Sequence, residues 1–455
     1  MTRAIARPNH SSGFFSIGLG FTLVAVICFY WCLYWVKQDL AILLFRPTVS
    51  ALTFLFVILW YQRPSTMAER KLAAILALLC AILLVPSMVA SDPTRAITDW
   101  VKVTLLCALC LVWSRALRDE ATGKAVGMSL LFGACVLTVL VLVVYVNSLG
   151  WVLPTYKATR ILKGITTTGI PLNAVPFAAI LSYFSAFCFI PSSKRLYFLG
   201  IIICGVSTLF TGSRAPVAVV GVSVLALALI SAIRSNKLAV RAWGVFCLLV
   251  FVTATIIVVR NAATRDIDKL SEGRLDLWSV AWQKFLEKPL IGNGFDSWDD
   301  DLVSRLPGEY KMTSVIAKNV QGGGYHNEYL TMLAEQGLAG TIPALYFFGF
   351  VFVTCWKLAF RRSNTWRYGS WPLFVCIVIL ARACVEVPGL FGYANEPSDY
   401  LCFLFVAIAV SRLSIEEDYL RSNMETATQA VAPQARTAPR LAGFRSSDKG
   451  IAHIS

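Results

Sequence analysis

The chain has 455 residues, 57% of them hydrophobic and 15% charged, with a formal net charge of +15. The apolar residues come in long runs rather than at amphipathic or alternating spacing, which excludes a soluble domain and a barrel and leaves an all-α integral membrane protein. The positive charge is first the lysine and arginine that a polytopic protein keeps on its cytoplasmic side, so it does not argue for nucleic acid.

In chain order, apolar runs predict membrane helices near 14–36, 40–61, 72–90, 100–113, 125–147, 171–190, 196–210, 215–233, 238–259, 338–360, 371–387 and 400–410, about twelve in all. Arg3 and Arg7 precede the first as in a signal peptide. That run is too long for an h-region and no small-residue cleavage site follows, so a retained anchor is expected. Arg63, Arg70 and Lys71, then Arg115, Arg118 and Lys124, then Lys194 and Arg195, then Arg234 and Lys237, then Arg361, Arg362 and Arg367 fall on one side, which the positive-inside rule makes cytoplasmic. An even helix count puts both termini there. The expected organisation is a membrane domain over 1–413, a large periplasmic loop inserted at 260–337, and a disordered cytoplasmic tail over 414–455, rich in Ala, Thr, Ser, Pro and Arg.

The thirteen cysteines lie inside apolar runs, which argues against disulfides and zinc. Cys107 and Cys110 have metal-like spacing, but no second ligand pair accompanies them, and packing within a spanning helix accounts for both.

Two outer segments depart from the pattern of short connections. Residues 148–170 carry Lys157, Arg160 and Lys163 on the face where basic residues are disfavoured, and 260–337 is far longer than a usual connection. Within that loop, SEGRLDLWSVAWQKFLEKPLIGNG reads as a helix. Ser271 is its N-cap, Leu275, Trp278, Trp282 and Phe285 form one apolar stripe, and Pro289 with Gly292, Asn293 and Gly294 ends it. A tryptophan-rich amphipathic helix of this kind lies at the membrane interface. Arg274 sits in its first turn, where the helix dipole disfavours a cation, so either it points away or an anion is held with it.

GGGYHNEYLTMLAEQGLAG, 322–340, predicts a second helix start: the glycines free the backbone, Tyr329, Leu330 and Leu333 pack, and Gly337 ends the segment before the membrane helix that follows. His10 and His453 fall in segments read as cytoplasmic, leaving His326 as the imidazole available outside. A histidine at a helix N-terminus is pushed toward its neutral, proton-accepting form, although a loop histidine is also an ordinary surface group. In TGSRAP, 211–216, Arg214 stands at an outer turn just before a helix N-terminus, an arrangement that suits phosphate or a simple anchor. Arg382 and Glu386, four apart on the predicted 371–387 helix, can pair within or near the apolar region, as a functional pair or as a structural one.

TGSR, then a helix containing Gly273 and Arg274 that runs to KPLIGNGFDSW, then HNEYLTMLAEQGLAG before a membrane helix, together resemble the O-antigen ligase and polymerase superfamily. The resemblance implies the helical membrane fold of the GT-C glycosyltransferases. It also implies transfer of a completed glycan from undecaprenyl pyrophosphate to a hydroxyl of the lipid A-core oligosaccharide, at the periplasmic face of the bacterial inner membrane. Arg214, Arg274 and His326 carry over from the family; Glu386 corresponds less well to its acidic position. Polymerases and protein O-oligosaccharyltransferases share the loop signature, so the acceptor stays open at this point. A lipid-linked saccharide transporter is the rival from another class, disfavoured because the candidate groups cluster at the outer boundary rather than on broken helices at the midplane.

The expected chemistry needs no cofactor and no metal. Arg214 and Arg274, helped by Arg160, Lys157 and Lys163, would grip the diphosphate, while His326 accepts the acceptor proton or orients the hydroxyl in a single inverting displacement. Asp296, Asp299, Asp300 and Asp301 form an acidic cluster read as a solvated face rather than a cation site.

Overall fold

The computed structural model describes residues 65–151, 174–190, 194–210, scattered positions between 221 and 249, and then 274–295, 325–360, 370–384 and 397–436. Among these residues the structure is helical without strands: α1 Met67–Met88, α2 Pro93–Ala116, α3 Glu120–Leu149, α4 Ala174–Ala186, α5 Lys194–Leu209, α6 Arg274–Glu287, α7 Glu328–Phe360, α8 Ser370–Ala383 and α9 Pro397–Arg436. Four of them, α1, α2, α3 and α7, are long and apolar enough to cross a membrane, while α4 and α8 are shorter apolar helices. The helices expected at 14–36 and 40–61 lie outside the described residues, and those at 215–233 and 238–259 lie largely outside them.

Polar caps explain why α1, α2 and α3 begin earlier than their apolar runs. Thr66 and Glu69 form a reciprocal capping box ahead of α1, with Glu69 N–H donating to Thr66 Oγ1 at 3.2 Å and Thr66 N–H to Glu69 Oε2 at 2.9 Å. Asp92 caps α2 with Pro93 in its first turn, and Asp119 caps α3 through the Thr122 N–H. At 24 residues, α2 is about 36 Å long. The 14 apolar residues read from the sequence would fall short of the hydrocarbon thickness.

Adjacent antiparallel pairs α1 with α2 and α3 with α4 pack together, α5 lies on α3 and α4, α7 packs on α1 and α8, and α8 reaches α4. The centre is the first part of α9: every residue from Leu401 to Ser411 is buried, the pattern of a helix apolar all round and enclosed by others. Phe347 of α7 stacks on Phe403, and Arg412 lies over Phe189 with its guanidinium 4.5 Å from the ring centre. Outward-facing Leu78, Val85, Leu105, Phe132, Val139, Ile342 and Tyr346 are exposed. Such a belt is costly in water and ordinary in lipid.

The chain divides into two compact units, Met1–Ser414 and Ile415–Ser455. In the second, helix α9 continues to Arg436, so the stretch from Ser414 onward, expected to be disordered, is helical that far. It lacks an apolar stripe but is rich in Ala, Glu, Gln, Leu and Arg, residues of good helix propensity.

Candidate functional site

The stretch around His326 is held from both sides. Asn327, not His326, is the cap of α7: its Oδ1 accepts from the Leu330 N–H at 3.1 Å, and its backbone carbonyl accepts from the Thr331 N–H at 2.9 Å. The same side chain donates through Nδ2 to the Cys384 carbonyl at 3.0 Å, just beyond the end of α8, and Tyr329 Oη donates to the Leu380 carbonyl at 3.3 Å. Orphan carbonyls at the C-terminus of α8 are thereby satisfied by groups at the N-terminus of α7, the helix before it. Tyr325 is fully buried and His326 half-buried. His326 has φ +50°, and it is the one non-glycine residue with positive φ among those described.

These bonds bring Arg382 beside the start of α7. Arg382 is 5% exposed, and its guanidinium lies 3.7 Å from the centre of the Phe177 ring on α4. Sequence spacing offers Glu386 as its partner, but α8 ends at Ala383 and Glu386 lies outside the described residues. Two carboxylates not singled out in the sequence stand in the same neighbourhood: Glu328 and Asp399 are 0% exposed, and the Cys402 thiol is within electrostatic reach of Asp399, Arg382 and Glu328. Burial of charges on this scale requires mutual compensation. The sequence signals were an acid immediately after the cap Asn327 and another in the first turn after Pro397.

Arg274 opens α6, in the first turn as expected, and the helix ends at Glu287 ahead of Pro289 and the Gly292-Asn293-Gly294 turn. Its buried face lies beside the tryptophan line. Leu277, Val280, Ala281, Lys284 and Phe285 are buried, whereas Trp278 is half-buried and Trp282 is 47% exposed. The helix is apolar over more than one face, so burial falls about one residue away from the tryptophan line. Exposed Trp282, Leu286, Leu290 and Ile291 form a second apolar edge.

The end of α6 is joined to a kink in α7. Gly337 interrupts that helix at φ 59°, ψ −166°, at the point where the sequence ends one segment and begins the next. Asn293 and Gly294 donate their N–H groups to the Ala334 and Glu335 carbonyls at 3.1 and 2.7 Å, and the Leu338 and Ala339 N–H groups donate to the Pro289 and Leu290 carbonyls at 2.8 and 2.9 Å. The Asn293 side chain adds Nδ2 bonds to the Lys284 and Ala334 carbonyls at 3.0 and 2.9 Å.

Arg214, Arg160, Lys157 and Lys163, like the acidic cluster at Asp296, Asp299, Asp300 and Asp301, lie outside the described residues, and the Arg274 side chain is likewise not described. The described structure places Asp399, Arg382 and Glu328 within electrostatic reach of one thiol, Cys402, and links α6, which Arg274 opens, to α7, which follows His326. None of the curated proteins matches the chain. Residues 199–345, which run from α5 through the TGSR segment, α6, the His326 segment and the Gly337 kink, match the family model for O-antigen ligase.

Proposed function

We propose that this protein transfers O-antigen, or a related glycan, from undecaprenyl pyrophosphate to a hydroxyl of the lipid A-core oligosaccharide at the periplasmic face of the inner membrane. The family match indicates activity of the O-antigen ligase and polymerase type on lipid-linked glycans. The observation that carries the site assignment is the backbone of His326. A non-glycine residue in the left-handed region costs about 1–2 kcal/mol. It persists here between buried Tyr325 and Asn327, which is tied to α7 and to Cys384 at once. Strain held by its surroundings at the start of a helix supports a functional rather than incidental histidine.

The donor's anomeric carbon carries a diphosphate, which leaves as a stable anion and needs charge compensation more than protonation. In the proposed reaction the acceptor oxygen attacks that carbon as the bond to the diphosphate oxygen breaks, the electron pair leaving with the diphosphate and the hydroxyl proton passing to His326. One displacement inverts the anomeric centre. Arg214 and Arg274 hold the diphosphate, with Arg160, Lys157 and Lys163 adding positive charge; guanidinium forks bind phosphate oxygens in bidentate fashion and stabilise charge as it develops. Arg382, buried in the last turn of α8 between the Leu380 and Cys384 carbonyls that accept from Tyr329 and Asn327, is assigned a supporting role. These cations supply the role a divalent metal would play.

The test is turnover by purified protein supplied with lipid-linked donor and lipid A-core. Arg214→Ala is expected to lose donor binding and turnover; unchanged values for both remove the diphosphate assignment. Growth of the glycan on its own carrier would identify a polymerase, and transfer to a protein acceptor an oligosaccharyltransferase.

A further inference from the structure

We infer that the Pro289–Gly294 turn and the Gly337 kink form a joint that sets the α6 helix, and with it Arg274, against α7, the helix that follows His326, and that Asn293 is its positioning residue. The inference rests on the glycan-transfer reading above and names a residue that acts through others rather than on substrate.

A break in a helix leaves two sets of orphan groups: carbonyls at the end of the first part and N–H groups at the start of the second. Here both sets are taken by one segment. The carbonyls of Ala334 and Glu335 accept from Asn293 and Gly294, while the amides of Leu338 and Ala339 donate to Pro289 and Leu290. Exchange in both directions fixes position and register together. Asn293 then spans the joint with one amide group, donating to Lys284 in the last turn of α6 and to Ala334 in α7.

The packing leaves no slack. A Cβ on Gly337 would lie 2.6 Å from the Gly292 nitrogen and 2.6 Å from the Leu290 oxygen, and one on Gly292 would collide with the Glu335 carbonyl. Both glycines hold positive φ, 59° and 76°, so the close approach and the turn conformation make the same demand. On the other side Gly294 abuts Ala90 and the Pro86 carbonyl at the end of α1, and Phe295 is buried in the main core. The turn is thus seated between α1 and the kink of α7. A displacement of this joint moves the start of α6 relative to the start of α7, and angstrom-scale misplacement of reacting groups lowers rate far more than binding.

The test compares wild type with Asn293→Asp and Asn293→Ala in detergent or nanodiscs, by amide hydrogen exchange and by steady-state transfer. Asn293→Asp keeps the shape but sets a carboxylate against two carbonyl oxygens; Asn293→Ala only removes the donors. The expected result is faster exchange in the peptides covering 289–294 and 334–339, and kcat lowered about 10- to 100-fold for Asn293→Asp with donor KM within about threefold. Asn293→Ala falls between Asp and wild type, because the donors matter and not the volume. Normal turnover in Asn293→Asp, unchanged exchange, or Ala more damaging than Asp each overturns the positioning role. If Asn293→Asp does not fold, Asn293→Ala carries the same readouts, and normal turnover with faster exchange overturns the role. A wild type that moves no glycan overturns the proposed function and the positioning role with it, whereas a wild type and an Asn293→Asp variant that transfer equally overturn the positioning role alone.

Discussion

At the scale of single residues, the site turns on His326 and on the asparagine that follows it. His326→Ala is expected to lower turnover about 10²- to 10⁴-fold, the range for loss of a general base, with donor binding retained. His326→Gln separates two roles: if it keeps most activity in the same assay, the imidazole orients the acceptor and does not take its proton. Asn327→Ala removes the α7 cap and the bond to Cys384, and is expected to destabilise the protein by about 1–2 kcal/mol, read as a lower thermal midpoint in detergent. An unchanged midpoint would show that neither bond contributes. The importance of His326 was legible in the sequence because histidine is scarce and this one precedes a helix. The cap itself was not, since HNEY offers two polar residues at the helix start and only the backbone, at φ +50° for His326, decides which of them closes the helix.

Among the elements, helix ends carry as much of the organisation as apolar faces. Gly337→Ala puts a side chain at a left-handed position and against the Gly292 nitrogen, for an expected loss of about 2–4 kcal/mol in thermal unfolding. A midpoint equal to wild type would mean the kink relaxes without cost. At the far end of α1, the buried Glu69 carboxylate serves the capping box and lies 3.8 Å from Arg115 Nε and 3.5 Å from Arg118 Nη1. Glu69→Ala is expected to cost about 1–3 kcal/mol by the same measurement while leaving donor affinity unchanged. Helix existence was readable from apolar runs, and the Gly337 break from its glycine. The starts of α1, α2 and α3 were missed because capping turns are polar.

For the molecule as a whole, a long apolar chain with outward-facing hydrophobic belts is built for lipid, and its described polar clusters gather where helices begin and end. What the sequence could not reveal is convergence. Glu328, Arg382 and Asp399 come from three helices, and packing around the first part of α9 leaves all three buried and within electrostatic reach of the Cys402 thiol. Full activity in EDTA is expected, since the arginines supply the compensating charge; loss of activity restored by magnesium or calcium would instead point to the acidic cluster at Asp299. The central claim is tested most directly by incubating the purified protein with lipid-linked glycan donor and lipid A-core, with no other protein present, and identifying the product. Glycan joined to the core sugar with inverted anomeric configuration is the predicted result; chain growth on the carrier lipid, or no transfer at all, would contradict it.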